Sequence, residues 1–204
     1  MKISLYTPDL SAAEAERFWM TPVEVCRLAA IGEASDPKVK KLLNTLSDRG
    51  HVPFVKSGKA KTAPRLYSLV SAAMLRVIFD ITRDGRTYKY AQPVADAVRN
   101  TMLKCVDELS DLSDFDLQFS EARIVFADMK DDGTPRTVKW HKAEISGGMN
   151  MAYSVYDAGY LIFRVLGIYA DYWHDDLVAR GEIDPPEPMQ IGDDGWPIDG
   201  GSDG

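Results

Sequence analysis

The chain has little of what disulfide scaffolds, metal sites and membrane spans are made from. Two cysteines, Cys26 and Cys105, stand far apart with no close partner. That spacing makes neither a disulfide framework nor a zinc site, and two reduced, buried thiols are expected. The three histidines, His51, His141 and His174, fall in separate segments with no metal spacing. His174 with Asp171, Asp175 and Asp176 reads as a solvated acidic helix end more readily than as a cation site. Phosphate-binding glycine loops, G-x-S-x-G and H-E-x-x-H are missing. No enzyme, metal or cofactor is expected on these grounds. A run of about 18 apolar residues, which a spanning helix needs, is also missing. Asp9, Glu14 and Glu16 interrupt what would be the apolar core of a signal peptide, so a cytoplasmic protein is expected.

Basic residues are scarce overall, and the 204-residue chain carries a net charge of −7. Their distribution is uneven. From Met20 to Tyr90 there are thirteen Lys and Arg against six Asp and Glu. Within Asp36 to Arg65 alone, eight cations face two acids. A positive concentration inside an acidic protein repels itself and usually meets a polyanion.

Local signals give that region a shape. Thr21, Pro22 and Glu24 have the spacing of a capping box with proline at the first helical position. Val23, Cys26, Leu28 and Ala30 are its expected inward face, and Gly32 its end. Asp36-Pro37 opens a second helix, in which Val39, Leu42, Leu43 and Leu46 recur as one apolar stripe. Lys41 and Asn44 point away from it, Lys38 and Lys40 flank it, and Thr45 lies beside the outward face. Gly50 closes the helix. Strands are expected at His51–Val55 and Arg65–Tyr67, with a polar loop between that carries Lys56, Lys59 and Lys61. Ser68 then caps a helix running to about Asp84. A basic helix followed by a basic hairpin describes a winged helix-turn-helix. Lys38, Lys40, Lys41, Asn44, Thr45, Lys56, Lys59, Lys61, Arg65 and Tyr67 are the expected DNA-contacting residues.

Residues Met20 to Gly85 resemble the DNA-binding domain of MerR-type transcriptional regulators. The resemblance rests on Asp48-Arg49-Gly50 closing the recognition helix, on Arg65-Leu66-Tyr67 after the wing, and on the following SLVSAAMLRVIFDITRDG. It implies a winged helix-turn-helix that binds duplex DNA. Members usually carry an arginine and an aromatic pair where this chain has Asn44, Thr45 and Leu46, so a different base readout is expected.

The remainder completes an α+β expectation. Residues 1 to 19 form an extension, with a strand at Lys2–Tyr6 and a short helix that Ser11 and Glu14 cap. Residues 20 to 90 form the DNA-binding domain and 91 to 182 a dimerisation or effector region. The latter holds a helix at Gln92–Leu109, a hairpin from Ala122–Ala127 and Arg136–Lys142, and a long aromatic-rich helix at Asp157–Arg180. The tail from 183 to 204 has six acids and no Lys or Arg, so disorder is expected there. On the long helix, Leu161, Val165, Ile168 and Tyr172 make one apolar seam beside a second. One seam is expected to pair two copies across a twofold axis.

The function expected is a DNA-binding transcriptional regulator, homodimeric on inverted repeats. A phage-type architectural or excision factor is the related alternative. A protein-interaction module, its basic face docked on an acidic partner, is the alternative of another class. A small-molecule effector pocket lined by Tyr156, Tyr160 and Trp173 is conceivable, with no ligand named.

Overall fold

The computed structural model describes residues 11–108, 123–127, 136–140 and 153–182. Among these are helices α1 (Ala12–Glu16), α2 (Pro22–Ala29), α3 (Pro37–Asp48), α4 (Leu69–Arg83), α5 (Tyr88–Glu108) and α6 (Ala158–Ala179). Strands β1 (Val55–Lys56) and β2 (Arg65–Leu66) form an antiparallel pair. Strands β3 (Arg123–Ala127), β4 (Arg136–Trp140) and β5 (Tyr153–Asp157) form an antiparallel sheet in the order β4-β3-β5.

The α+β class expected above does not hold. The described residues are mostly helical, and the wing strands are two residues each. The physical reason is α4, where Leu69, Val70, Ala72, Ala73, Met74, Leu75, Val77, Ile78 and Ile81 are all buried. A helix apolar around its circumference needs neighbours on every side. Here α1, α2, α5 and α6 supply them, and one cluster of buried residues runs from Ala15 to Ala170.

Local chemistry sets the helix ends. The Thr21 hydroxyl accepts from the Glu24 amide at 3.4 Å, and the Thr21 amide donates to the Glu24 carboxylate at 2.6 Å. Asp36 accepts from the Lys38 amide at 2.7 Å. Ser68 and Ser71 cap α4 reciprocally, and the Ser71 hydroxyl also donates to the Pro53 carbonyl at 2.7 Å. Asp157 caps α6 by accepting from the Tyr160 amide. In α1, Ser11 accepts from the Glu14 amide while Glu14 pairs with Arg17.

Several boundaries differ from expectation. Helix α2 stops at Ala29, because Ala30 takes the left-handed conformation at φ 50°, ψ 46°. Gly32 serves the turn instead, with φ +113°, and a Cβ there would lie 3.1 Å from a Val39 methyl. Val23 is 64% exposed, and the inward face of α2 is Val25, Cys26, Leu28 and Ala29. Helix α5 begins four residues before Gln92, with the Tyr90 amide bonded to the Thr87 hydroxyl and Pro93 inside the helix. Strands β3 and β4 pair as the hairpin reading requires, from Arg123 opposite Trp140 to Ala127 opposite Arg136. Strand β5 pairs with β3 and was not legible in the sequence. The Lys2–Tyr6 strand, the turn at 130–135 and the tail from 183 lie outside the described residues. Among the described residues no helix is long and apolar enough to cross a membrane.

Candidate nucleic-acid interface

Helix α3 divides cleanly. Val39, Leu43, Leu46 and Ser47 are buried, whereas Lys38, Lys40, Lys41 and Asn44 are exposed and Thr45 is half-buried beside them. Burial of the apolar stripe is what turns the three lysines and one amide outward together. Lys56, Lys59 and Lys61 are exposed on the wing. The wing loop is closed by its own bonds: Ser57 to the Pro64 carbonyl at 2.9 Å, Ala63 to the Ala60 carbonyl at 3.0 Å, and the Lys56 ammonium to the Lys61 carbonyl at 3.0 Å. Seven exposed ammonium and amide groups therefore stand on two adjoining elements.

Arg65 occupies the join. Its guanidinium donates to Asp48 at 2.6 Å and lies 4.7 Å from the centre of the Phe54 ring. It also reaches the Asn44 carbonyl at a long 3.5 Å. The side chain is only 22% exposed. It pins the wing to the end of α3 and is a positioning residue more than a free phosphate ligand.

Tyr67 does not belong with the expected DNA-contacting residues. It is fully buried, and its hydroxyl sits 3.1 Å from that of Ser47, which in turn donates to the Leu43 carbonyl at 2.8 Å. Its backbone pairs with Met20, so the chain just past the wing is stitched to the chain just before α2. Burial raises the phenol's pKa, with the Ser47 bond and the Arg65 charge opposing. Tyr67 supports α3 from within and is not on the exposed face.

The expected dimer residues also move. Leu161 is 5% exposed and Val165 fully buried within one chain, because α6 packs on α2, α4 and α5. Ile168 is half-buried against the same core. Tyr172 is half-buried, with its hydroxyl directed to Glu24 at 3.4 Å and Arg27 5.3 Å from its ring centre. Of that seam, Leu161 and Val165 are covered within one chain, and Ile168 and Tyr172 keep part of their surface exposed. The expected effector pocket is not assembled either. The Tyr156 hydroxyl donates to Asp80 at 2.9 Å, and Tyr160 is 64% exposed.

Residues that composition did not single out hold the interface in place. Asp48, Phe54 and Ser47 fix the wing and α3 to one another. Arg76 caps the C-terminal end of α2 from α4, donating to the Ala30 carbonyl at 2.8 Å and the Ala29 carbonyl at 3.4 Å. Asp80 holds Arg76 at 2.9 Å. The i, i+4 spacing of Arg76 and Asp80 was the available signal. The target of Arg76, a carbonyl 46 residues away, was not readable.

Among the described residues, no three His, Cys, Asp or Glu side chains group so as to hold a metal ion. Both cysteines are buried, and burial pushes the Cys26 thiol up to about 11. Compared with protein-family models and with curated proteins, the chain matches none.

Proposed function

We propose that this protein binds duplex DNA through α3 and the β1–β2 wing, and that it regulates transcription as a winged helix-turn-helix protein. The observation that carries the reading is the shared exposed face of Lys38, Lys40, Lys41, Asn44, Lys56, Lys59 and Lys61. The opposite side of α3 is committed to the core, so this face is the one available to the major groove. Lysines on the flanks and wing neutralise phosphates and release counterions, which gives affinity without sequence information. Asn44, central on the exposed face, has the amide that can hold an adenine edge bidentately, and Lys41 reaches toward guanine. Arg65, locked to Asp48, holds the wing at a constant angle to α3, so phosphate and base contacts keep one register.

The test is salt-dependent binding of a fluorescent duplex. Log affinity falls linearly with log salt, and replacing Lys59 and Lys61 with alanine lowers the slope by roughly 0.9 for each phosphate left without its lysine. Binding that ignores salt removes DNA from the function, whereas a slope unmoved by the double variant removes the wing from the interface. If the basic face docks an acidic protein instead, this chain lacks the steep, linear log–log salt dependence on duplex DNA.

A further inference from the structure

A second feature lies where α6 meets α2 and the segment between α1 and α2. Here a cavity of about 260 Å³ is lined by four aromatic side chains, Trp19, Tyr169, Tyr172 and Trp173. Tyr169 is buried, whereas Trp19, Tyr172 and Trp173 are half-buried and keep surface for a guest. Aromatic faces carry partial negative charge and attract cations. The chain itself shows this. The Arg27 guanidinium stands 5.3 Å from the centre of the Tyr172 ring, and that of Arg180 stands 5.5 Å from the centre of the Trp173 ring. Neither arginine lines the cavity, so neither fills it.

The charged groups on the same walls are Arg17, Glu24 and Asp176. Arg17 pairs with Glu14 at 2.5 Å, and Asp176 with Arg180 at 3.1 Å. Glu24 differs: among the described residues no Lys, Arg or His forms an ion pair with it. Its half-buried carboxylate takes only neutral donors, the Thr21 amide at 2.6 Å and the Tyr172 hydroxyl at 3.4 Å. A carboxylate has roughly four lone-pair sites, so acceptor capacity remains. Holding such a charge away from water without a counter-ion is costly, and a cation would offset that cost. The one uncompensated charge on the walls is therefore negative, and the rings favour the same sign of guest. We infer that this cavity binds a small organic cation, an alkylated ammonium group resting on Trp19, Tyr172 and Trp173 with its charge toward Glu24. Alkyl groups give the rings apolar surface to cover, which a hydrated metal ion does not. The volume exceeds the roughly 150 Å³ that holds one benzene ring and falls below the roughly 300–1,000 Å³ of drug-sized pockets, so it suits a head group. Such binding does not depend on the DNA-binding reading.

Choline is a suitable probe, and the alcohol in which a quaternary carbon replaces its nitrogen is the neutral control of the same shape. In the ¹⁵N-labelled full chain the indole N–H resonances of Trp19 and Trp173 are assigned by their disappearance in Trp19→Phe and Trp173→Phe. Titration with choline is expected to move the Trp173 resonance saturably. The neutral control should bind several-fold more weakly, because it lacks the attraction to the rings and to Glu24. Glu24→Gln keeps the side-chain length and an oxygen for the Thr21 amide, and removes only the charge. It should weaken choline by about tenfold and leave the neutral control unchanged. Choline that moves neither indole resonance overturns the inference. Equal affinity for choline and its neutral control overturns it too, since charge would then play no part. An unchanged choline affinity in folded Glu24→Gln does the same. The first two comparisons use the unmodified chain, so a misfolded variant does not protect the idea.

Discussion

The Arg65 guanidinium stands 2.6 Å from Asp48 at the end of α3 and 4.7 Å from the centre of the Phe54 ring below the wing. One side chain thereby joins three pieces of backbone that share no secondary structure. Because the wing has only two ladder positions, Val55 with Leu66 and Lys56 with Arg65, it depends on this join more than a longer hairpin would. Arg65→Ala should therefore raise hydrogen exchange at the wing amides while α4 stays protected. Global stability should change by about 1 kcal/mol or less, as for a partly exposed ion pair. Unchanged wing exchange would show that the strands hold themselves.

Tyr67 and Ser47 offer a contrast between support and contact. Tyr67→Phe removes a buried hydroxyl whose partner Ser47 keeps its bond to the Leu43 carbonyl. The expected cost is about 1 kcal/mol in urea denaturation. Affinity for duplex DNA measured well below the midpoint should stay within about twofold, since the change is absorbed by stability alone. A large drop in affinity with normal stability would put the phenol at the DNA after all.

Asn44 tests base readout. It is exposed at the centre of the outward face of α3, and its backbone carbonyl, not its side-chain amide, receives the long bond from Arg65. Asn44→Ala should cost roughly 1–3 kcal/mol on the preferred site and far less on random duplex, relaxing preference at one base position. Competition binding against a randomised-site library reads this directly. Equal effects on both DNAs would place Asn44 at the phosphate backbone.

Val165 separates core from interface. It is fully buried inside one chain, so Val165→Asp places an unpaired carboxylate in the core at a cost of several kcal/mol. The outcome expected is loss of the cooperative melt at every protein concentration. A folded monomer that melts normally would mean that Val165 faces a second copy instead.

Alkaline pH should destabilise the protein through Cys26. Its folded value is raised from 9.0 to about 11 by burial, so the neutral thiol is the form that folding favours. That contribution is complete below about pH 9 and disappears as pH rises toward 11. Tyr67, Tyr156 and Tyr169, all raised by burial first of all, act in the same direction from about pH 10 upward. Denaturation midpoints measured from pH 8 to 11 should fall, and less steeply in Cys26→Ala. An identical slope in the variant would assign the effect to the tyrosines.

Which helices form, and which side of α3 faces outward, follows from neighbours close in the chain. Thr21 with Glu24, Asp36 with Pro37, Ser68, and Asp157 each act within four residues, and the stripe of Val39, Leu43 and Leu46 declares the buried side through the 3.6-residue period. The concentration of lysine on α3 and the wing is likewise a property of the sequence itself. Tertiary structure decided the rest, because the deciding partners lie far along the chain. Tyr67 turns inward because Ser47 and Met20 wait for it there, and period alone could not tell a wing residue from a core residue at that strand end. Strand β5 forms only by pairing with β3, so the Tyr153–Asp157 run was hidden beside the stronger helix signal of Asp157. The helical class follows from α4, whose neighbours on every side come from four separate stretches of chain. For α6, an apolar circumference demands cover and does not name its source. Packing of α2, α4 and α5 supplied that cover from within, leaving the ring-walled cavity at Trp19 and Tyr169 where the helices do not quite meet.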